Sequence, residues 1–363
     1  MAQPGLSVDL AKQALDAVAQ HGTISKAAKA LGVHRATLQS RYWTAERMLA
    51  AGKLEPPPEP PPQTAIRAPL ATYDEAWVQM SRAIGVAKDR YSGPPPVRKP
   101  GSRIKVTAAG DFHIPFHDQS AVAELVAREA ADTDVLVIGG DFGDAHNAST
   151  FTKYEDVPFA RELAETKAVG DVLSESFQRI EYLKGSNHMD RIEKRMRENL
   201  DPDLVDAILF MTGGEVSPDV VLMKRYPNVN IACWETPQGH KVPWLMVIGD
   251  VAFTHAEKYS ITPGAATRKV EEWLSDFSGA LGLPTIRAVV QFHTHALSLI
   301  PWRADKVLLE PGCMCETHGY QLKSKIGGRP QRVGYVTMEL EGGRVDFNSI
   351  RMHWLNRDRE RVA

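Results

Sequence analysis

The sequence predicts an α/β protein with a small all-α domain ahead of it. From Arg103 onward, short unbroken apolar runs alternate with stretches of helical periodicity, the pattern of layered α/β folds with mixed sheets. Residues 7–54 show helical spacing alone, and the proline-rich stretch EPPPEPPPQ (55–63) separates the two regions. The formal charge of −2 also divides unevenly, with +4 up to Leu54 and −6 beyond it. That asymmetry suggests a polyanion-binding head on an acidic body.

In the head, Ala11, Leu15 and Val18 fall on one helical face, which His21-Gly22 ends. Thr23 can cap the next helix, the alanines of SKAAKA permit close packing, and Gly32 allows a sharp turn. A further helix, expected from His34 to about Leu49, buries Val33, Leu38 and Tyr42 and exposes Arg35, Thr37, Gln39 and Arg41. The run TISKAAKALGVHRATLQSR resembles the helix-turn-helix of Fis-like and homeodomain-like DNA-binding domains. That resemblance implies that the second helix of the motif lies in the major groove. Arg35, Thr37, Gln39 and Arg41 would then be the residues facing DNA, where Arg and Gln can read base edges. A protein-docking or oligomerisation module is the alternative use of the same three helices.

The proline run reads as a semi-rigid polyproline-II spacer. Tyr73, Trp77, Met80, Ile84 and Ala87 then recur at helical spacing, giving one amphipathic helix over about 72–90 within a connector of residues 55–102. Its apolar face is expected to pack on the large domain; pairing with a second copy of the chain, a homodimer, is the other use.

The large domain is expected over residues 103–357. Strands are predicted at 103–110, 135–138, 180–184, 229–232, 242–248, 251–253, 287–292, 306–309 and 332–340. Helices are predicted at 118–131, 159–179, 191–199, 204–211 and 267–277, with a polar rim loop at 145–157. Val135-Leu136-Val137-Ile138 is short, apolar and β-branched, as suits an inner strand covered on both faces. Gly139-Gly140 follows it, then Asp141 and Asp144, where open α/β sheets place their ligands. Four more strand-like runs end the same way, in Asp111-Phe112-His113, Asn187-His188, His255, and His293-Thr294-His295.

Taken in order, these residues resemble the calcineurin-like metallophosphoesterase family, whose pattern is D-x-H, G-D-x-x-D, G-N-H-[DE], G-H and G-H-x-H. The resemblance spans roughly residues 103–350. Ser186, Met189, Phe253-Thr254 and Phe292 depart from the pattern without removing a ligand, and Met189 stands where the family has an acid, with Asp190 next. The resemblance implies a four-layer α/β/β/α sandwich and two divalent metal ions. Asp111, His113 and His295 would serve the first ion and Asn187, His255 and His293 the second, with Asp141 bridging. It makes His188 the proton donor or charge stabiliser for the leaving oxygen, oriented by Asp144. Oxygen and imidazole donors without a thiolate suit Mn²⁺ first, then Fe or Zn²⁺. His117, Asp118, His146 and Asn147 lie near the motifs as rim candidates.

Cys233, Cys313 and Cys315 make no disulfide framework, and Cys313-Met314-Cys315 lacks zinc-ribbon spacing, so the thiols are expected to be structural. Hydrophobic content of 43% with no long apolar span points to a soluble, cytoplasmic protein that does not enter a membrane. The function expected from these readings is a metal-dependent phosphoesterase, a nuclease or phosphodiesterase brought to duplex DNA by its head. A phosphomonoesterase with an independent head and an inactive DNA-binding regulator are the alternatives, and intact ligands in all five motifs speak against the last.

Overall fold

The computed structural model describes residues 7–21, 24–54, 68–91, 103–149, 157–185, 187–188, 190–260, 262–316 and 331–355. Thr23, Ser186, Met189 and the connector segments 55–67, with the proline run, and 92–102 lie outside that set. The chain forms two units, Met1–Arg67 and Ala68–Ala363.

In the first unit, α1 (Val8–His21), α2 (Ile24–Ala30) and α3 (Arg35–Ala50) pack on one another. Ala14, Ala17, Ala27, Ala28 and Leu38 form one small core, and Ala11, Leu15 and Ala45 a second. Alanine at the crossing points brings the helix axes close. Gly32, at a φ of +64°, makes the turn between α2 and α3. His34 stands one residue outside α3 and caps it, its Nδ1 accepting from the Ala36 amide at 3.3 Å. Arg35, Thr37 and Gln39 are exposed as expected; Arg41 and Tyr42 are half-buried.

The second unit opens with α4 (Ala68–Tyr91), which lies against α5 (Gln119–Glu129) and α6 (Phe159–Ser176). Met80 is buried, and Trp77 and Ile84 pack on the same core, so the amphipathic face expected here is used within the unit. Tyr73 donates to Asp171 of α6 at 2.5 Å.

Strands β1 (Arg103–Ala109), β2 (Val135–Ile138), β3 (Ile180–Leu183) and β4 (Val229–Ala232) run parallel, with α5 and α6 as crossovers. A ribbon of β5 (Trp234–Glu235) and β6 (Lys241–Val242) leads to β7 (Leu245–Ile248) and β8 (Val251–Thr254). Strands β9 (Ala288–Gln291), β10 (Leu297–Trp302) and β11 (Lys306–Pro311) complete a five-stranded sheet ordered β10-β11-β9-β8-β7. The last two strands, β12 (Gly334–Glu341) and β13 (Arg344–Trp354), return to the first sheet, which is ordered β13-β12-β1-β2-β3-β4.

The two sheets face each other and a helical layer covers each outer face. Val135 and Val137 point into the inter-sheet core with Val106, Ala108, Phe253 and Val290. Leu136 and Ile138 point the other way, onto Leu125, Val169 and Leu173 of α5 and α6. On the far side, Val289 and Leu308 pack against Val270 and Leu274 of α10 (Ala265–Asp276) and Leu281 of α11 (Ser278–Leu281). This is the expected α/β/β/α sandwich, and burial on both faces explains why β2 has no polar alternation. Helices α7 (Asp190–Asn199), α8 (Pro202–Met211) and α9 (Pro218–Met223) follow β3.

Three details differ from expectation. The predicted strand 242–248 is broken at Pro243-Trp244, whose backbone docks on Gly185: the Gly185 amide donates to the Pro243 carbonyl at 2.8 Å, and a Cβ at Gly185 would lie 2.6 Å from Trp244 Cα. β10 carries Pro301, which an edge strand tolerates because half its backbone groups need no partner. β13 is an edge of the six-stranded sheet, where a half-exposed face mixes polar and apolar residues and blurs the pattern.

Phe292 stands where the family pattern has glycine, and the space it needs comes from elsewhere. A Cβ on Gly139 would lie 2.2 Å from its ring and one on Gly110 2.5 Å. The ring is fully buried and has nowhere to go. Gly139→Ala is therefore expected to lower stability by ~1–3 kcal/mol, the usual cost of overpacking a filled core. Urea unfolding checks it; an unchanged midpoint would show that the ring can shift.

Candidate metal centre

The residues singled out at the strand ends converge on one buried place. Asp111 and His113 leave β1, Asp141 leaves β2, Asn187 and His188 follow β3, His255 follows β8, and His293 and His295 follow β9. Asp111, His113, Asp141, His293 and His295 all hold left-handed backbone, with φ between 42° and 72°. A residue with a Cβ adopts that conformation at a cost of ~1–3 kcal/mol, and such strain gathers at functional sites. Here it turns each chain out of its strand within one residue, so that the side chains face inward instead of along the sheet.

Gly140, at a φ of +81°, sits beneath this cluster, where a Cβ would meet Gly185 O at 2.5 Å and the His255 ring at 2.7 Å. Only glycine fits there.

Two groups of donor atoms share Asp141. Asp111, His113 and Asp141 form one, and Asp141, His255 and His293 the other; within each, the donor atoms lie within 4.8 Å of one another. His255 Nε2 lies 3.2 Å from Asp111 Oδ1 and 3.4 Å from Asp141 Oδ2. His295 Nε2 lies 3.6 Å from Asp111 Oδ1 and 3.0 Å from His113 Nε2. Asp111 is held in place by the His293 amide, which donates to its Oδ2 at 2.9 Å.

These carboxylates need positive charge. Burial works against ionised Asp111 and Asp141, yet the surrounding imidazoles hold both below the usual carboxylate range. Burial also works against charge on His255, but Asp141 and Asp111 outweigh it and push its pKa up to about 10. His295 rises to about 9 against burial, through Cys313 and the same two carboxylates. His293 goes the other way, down to about 4, because burial and the neighbouring His255 charge add.

The donor set fits divalent cations. Asn187 Oδ1 is buried with no hydrogen-bond partner, an arrangement that costs free energy unless an ion takes the carbonyl oxygen. His113 offers its Nδ1 to Asp144 Oδ1 at 3.1 Å, which leaves a lone pair on Nε2 aimed at the His295 ring nitrogen. Carboxylate, amide and imidazole donors are those of hard-to-borderline ions.

Asp144 lies beside this set. Its Oδ1 is 2.8 Å from His188 Nδ1, and its Oδ2 is 3.5 Å from His146 Nδ1. Burial opposes its charge, and the three imidazoles of His113, His146 and His188 hold it well below the usual range. His188 Nε2 then faces the centre, 3.8 Å from Asp141 Oδ2. The support expected from an acid beside His188 thus comes from Asp144, while Asp190 is exposed at the start of α7.

Of the rim candidates, His146 reaches Asp144 and rests edge-on to Phe116, whereas Asp118 caps α5 through the Ala121 amide at 3.1 Å. His117 is held near the Cys315 backbone, and Asn147 donates to the Val157 carbonyl.

Sequence reasoning missed three residues. Buried Glu162 of α6 accepts from the amides of Ala145 at 2.6 Å and His146 at 3.1 Å, clamping the turn that carries Asp144. Gln331 places its amide 2.6 Å from His295 Nδ1. Cys315 Sγ lies within 4.8 Å of the ring nitrogens of His113 and His295. None follows a strand-end motif; an acid at helical spacing in an apolar face was the one signal, for Glu162.

No protein-family model matches the sequence, and no curated protein is similar to it in sequence. Among solved structures, the chain is similar to Chaetomium thermophilum Vps29, with 10% identity over 66% of this chain and 86% of that one and a TM-score of 0.32. It is also similar to a Saccharomyces cerevisiae protein serine/threonine phosphatase resembling human phosphatase PP5, with 11% identity over 86% and 94% of the chains and a TM-score of 0.33. At that overlap the likeness bears on neither activity nor partners. Among the described residues, no helix is long and apolar enough to cross a membrane.

His255 and His295 carry protons at neutral pH, so metal uptake must displace them. Below about pH 9 both bound protons compete with the ion, and affinity should rise with pH through about 9, where His295 loses its proton, and about 10, where His255 does. Calorimetric titration of chelator-stripped protein, in buffers of different ionisation enthalpy, should show proton release at pH 7 that fades above pH 10. Uptake without release would mean that these imidazoles are not the ligands.

Proposed function

We propose that this protein is a calcineurin-like, dinuclear metal-dependent phosphoesterase acting on nucleic-acid phosphodiesters, with an N-terminal helix-turn-helix that binds duplex DNA. The observation that carries the catalytic part is the pair of donor groups sharing Asp141, with the Asp144–His188 pair beside them. Two divalent ions held in those groups, manganese, iron or zinc, would supply an activated water and neutralise charge on the phosphoryl oxygens. Asp111, His113 and His295 would hold the first, Asn187, His255 and His293 the second, and Asp141 both.

The chain's own contribution is proton and charge placement. Asp144 fixes His188 with Nδ1–H toward its carboxylate and turns Nε2 toward the centre. From there His188 can hand its proton to the leaving oxygen. Arg191 donates to the Asp144 carbonyl at 3.4 Å, the same oxygen that lies 3.1 Å from His188 Nδ1. Arg195, one turn further along α7, donates to the Ala148 carbonyl at 3.2 Å. Two guanidinium groups beside the turn that carries Asp144 suit a substrate with phosphates on either side of the scissile one. The basic head and its exposed Arg35, Thr37 and Gln39, with half-buried Arg41, support the choice of a polyanion.

His188→Gln is expected to cut kcat on bis-p-nitrophenyl phosphate by ~10²–10⁴-fold, the usual worth of general acid catalysis, with bound metal unchanged. A variant that instead loses its metal shows His188 to be a ligand. Comparison with p-nitrophenyl phosphate and with a labelled duplex separates diesterase from monoesterase.

For the head, fluorescence anisotropy on the full chain should show duplex binding whose log affinity falls against log salt with a slope of roughly −3 to −4.5, as for about 3–5 neutralised phosphates. Arg35→Ala should weaken it, and Gln39→Ala should relax any sequence preference. Binding with no salt dependence would return these helices to a docking role.

A further inference from the structure

We propose that Cys315 is a ligand of the first metal position, joining His113 and His295 through Sγ and giving that position a mixed oxygen–nitrogen–sulfur donor set. The inference rests on the metal-centre reading above and changes which ion the centre prefers.

Three observations carry it. The first is placement: Sγ of Cys315 and the ring nitrogens of His113 and His295 lie within 4.8 Å of one another. The second is the company the thiol keeps. A structural cysteine behaves as a small hydrophobe among apolar side chains. Cys315 is fully buried, yet its sulfur faces two imidazoles and the Gln331 amide, whose Nε2 lies 3.6 Å from Sγ and 2.6 Å from His295 Nδ1.

The third is how firmly the segment is fixed. The Met314 amide donates to Gly110 O at 3.1 Å and Asp111 O at 3.2 Å, and the Asp118 amide donates to Met314 O at 2.8 Å. The Glu316 amide donates to Phe116 O at 2.8 Å, and Cys315 pairs with the backbone of His117. The strap that carries the thiol is therefore sewn to the same loop that carries Asp111 and His113, and the sulfur cannot drift from them. Cys313 Sγ is directed to the carbonyls of Cys315 at 3.8 Å and Arg332 at 3.6 Å and also hydrogen-bonds the Cys315 side chain, but it belongs to no group of metal-capable donors among the described residues.

On ligation the thiol gives up its proton to solvent and the sulfur forms the bond as thiolate, so one proton leaves for one bond formed. A soft thiolate turns the position away from manganese and toward iron or zinc, whereas the oxygen and imidazole donors alone would accept any of them.

Cobalt(II) reports a thiolate ligand by a charge-transfer absorption in the near ultraviolet. Chelator-stripped full-length protein is reloaded with cobalt, and bound metal is measured beside the spectrum. The band is expected in the wild type and in the Cys233→Ser/Cys313→Ser double variant, which retains Cys315 alone. It should be lost in Cys315→Ser while cobalt stays bound. If Cys315→Ser does not fold, the double variant still decides, since its band can come only from Cys315. Cobalt bound without the band in wild type, or a band surviving in Cys315→Ser, overturns the proposal and leaves the metal centre standing. Failure of the wild type to bind cobalt or zinc overturns both.

Discussion

Three carboxylates buried in one place, Asp111, Asp141 and Asp144, are the constraint on which the rest of the second unit depends. A buried carboxylate costs several kcal/mol unless positive charge and hydrogen bonds answer it. The chain answers with imidazoles from four strand exits, two of which are driven to the charged form by the acids beside them. Bringing them there requires five residues in left-handed backbone, each at its own cost in strain. Neither cost could be met by a loop. It is met by two sheets packed face to face, whose inter-sheet core fixes the ends of β1, β2, β8 and β9 before any ligand is placed. The glycines follow from this: Gly110 and Gly139 make room for Phe292, and Gly140 for the His255 ring.

How much of this could be read in the sequence depends on the range of the signal. The strand-end residues were legible because each lies just past its own strand, where a local pattern of apolar run and then polar residue marks it. The layers were legible because β2 is apolar on both faces. Edge strands β10 and β13 were not, because an edge exposes one face and accommodates Pro301, and the pattern decays. Cys315, Gln331 and Glu162 were invisible for another reason. Glu162 lies 17 residues from the amide it clamps, and Gln331 lies 36 residues from His295. Nothing in their neighbourhoods marks what they touch. Expecting Cys313 and Cys315 to be structural applied a sound rule about spacing, but spacing says nothing about a single thiol brought to a site by a distant strand.

The two units answer different questions. Donor groups at strand ends specify a reaction class, and many substrates satisfy the same chemistry. On the proposed reading, choice of substrate comes from Arg191 and Arg195 on α7 and, separately, from the positive head. These are point charges on surface elements, and they set encounter and orientation more than the chemical step. A head carrying the molecule's basic excess and a centre that is net acidic without its ions is therefore a division of labour that electrostatics alone would favour.

Asp144 ties the donor cluster to His188, the proposed proton donor, more closely than either part requires. Its Oδ1 lies 3.1 Å from His113 Nδ1 and 2.8 Å from His188 Nδ1, so one carboxylate oxygen, which can accept twice, fixes both rings in the same tautomer. For His113 that tautomer leaves the Nε2 lone pair free to bind an ion. For His188 it turns Nε2 toward the centre, 3.8 Å from Asp141 Oδ2. Were Asp144 neutral, its hydroxyl would donate to one ring and release the other, and ligand and acid would lose their orientation together. Holding three imidazoles keeps Asp144 ionised far below neutrality, against its own burial. The Glu162 clamp on the next two amides holds the turn that aims it, with Ala145 in left-handed backbone at the hinge. The proposed metal binding and proton delivery would thus share one carboxylate, and that carboxylate is held from a helix outside the sheet.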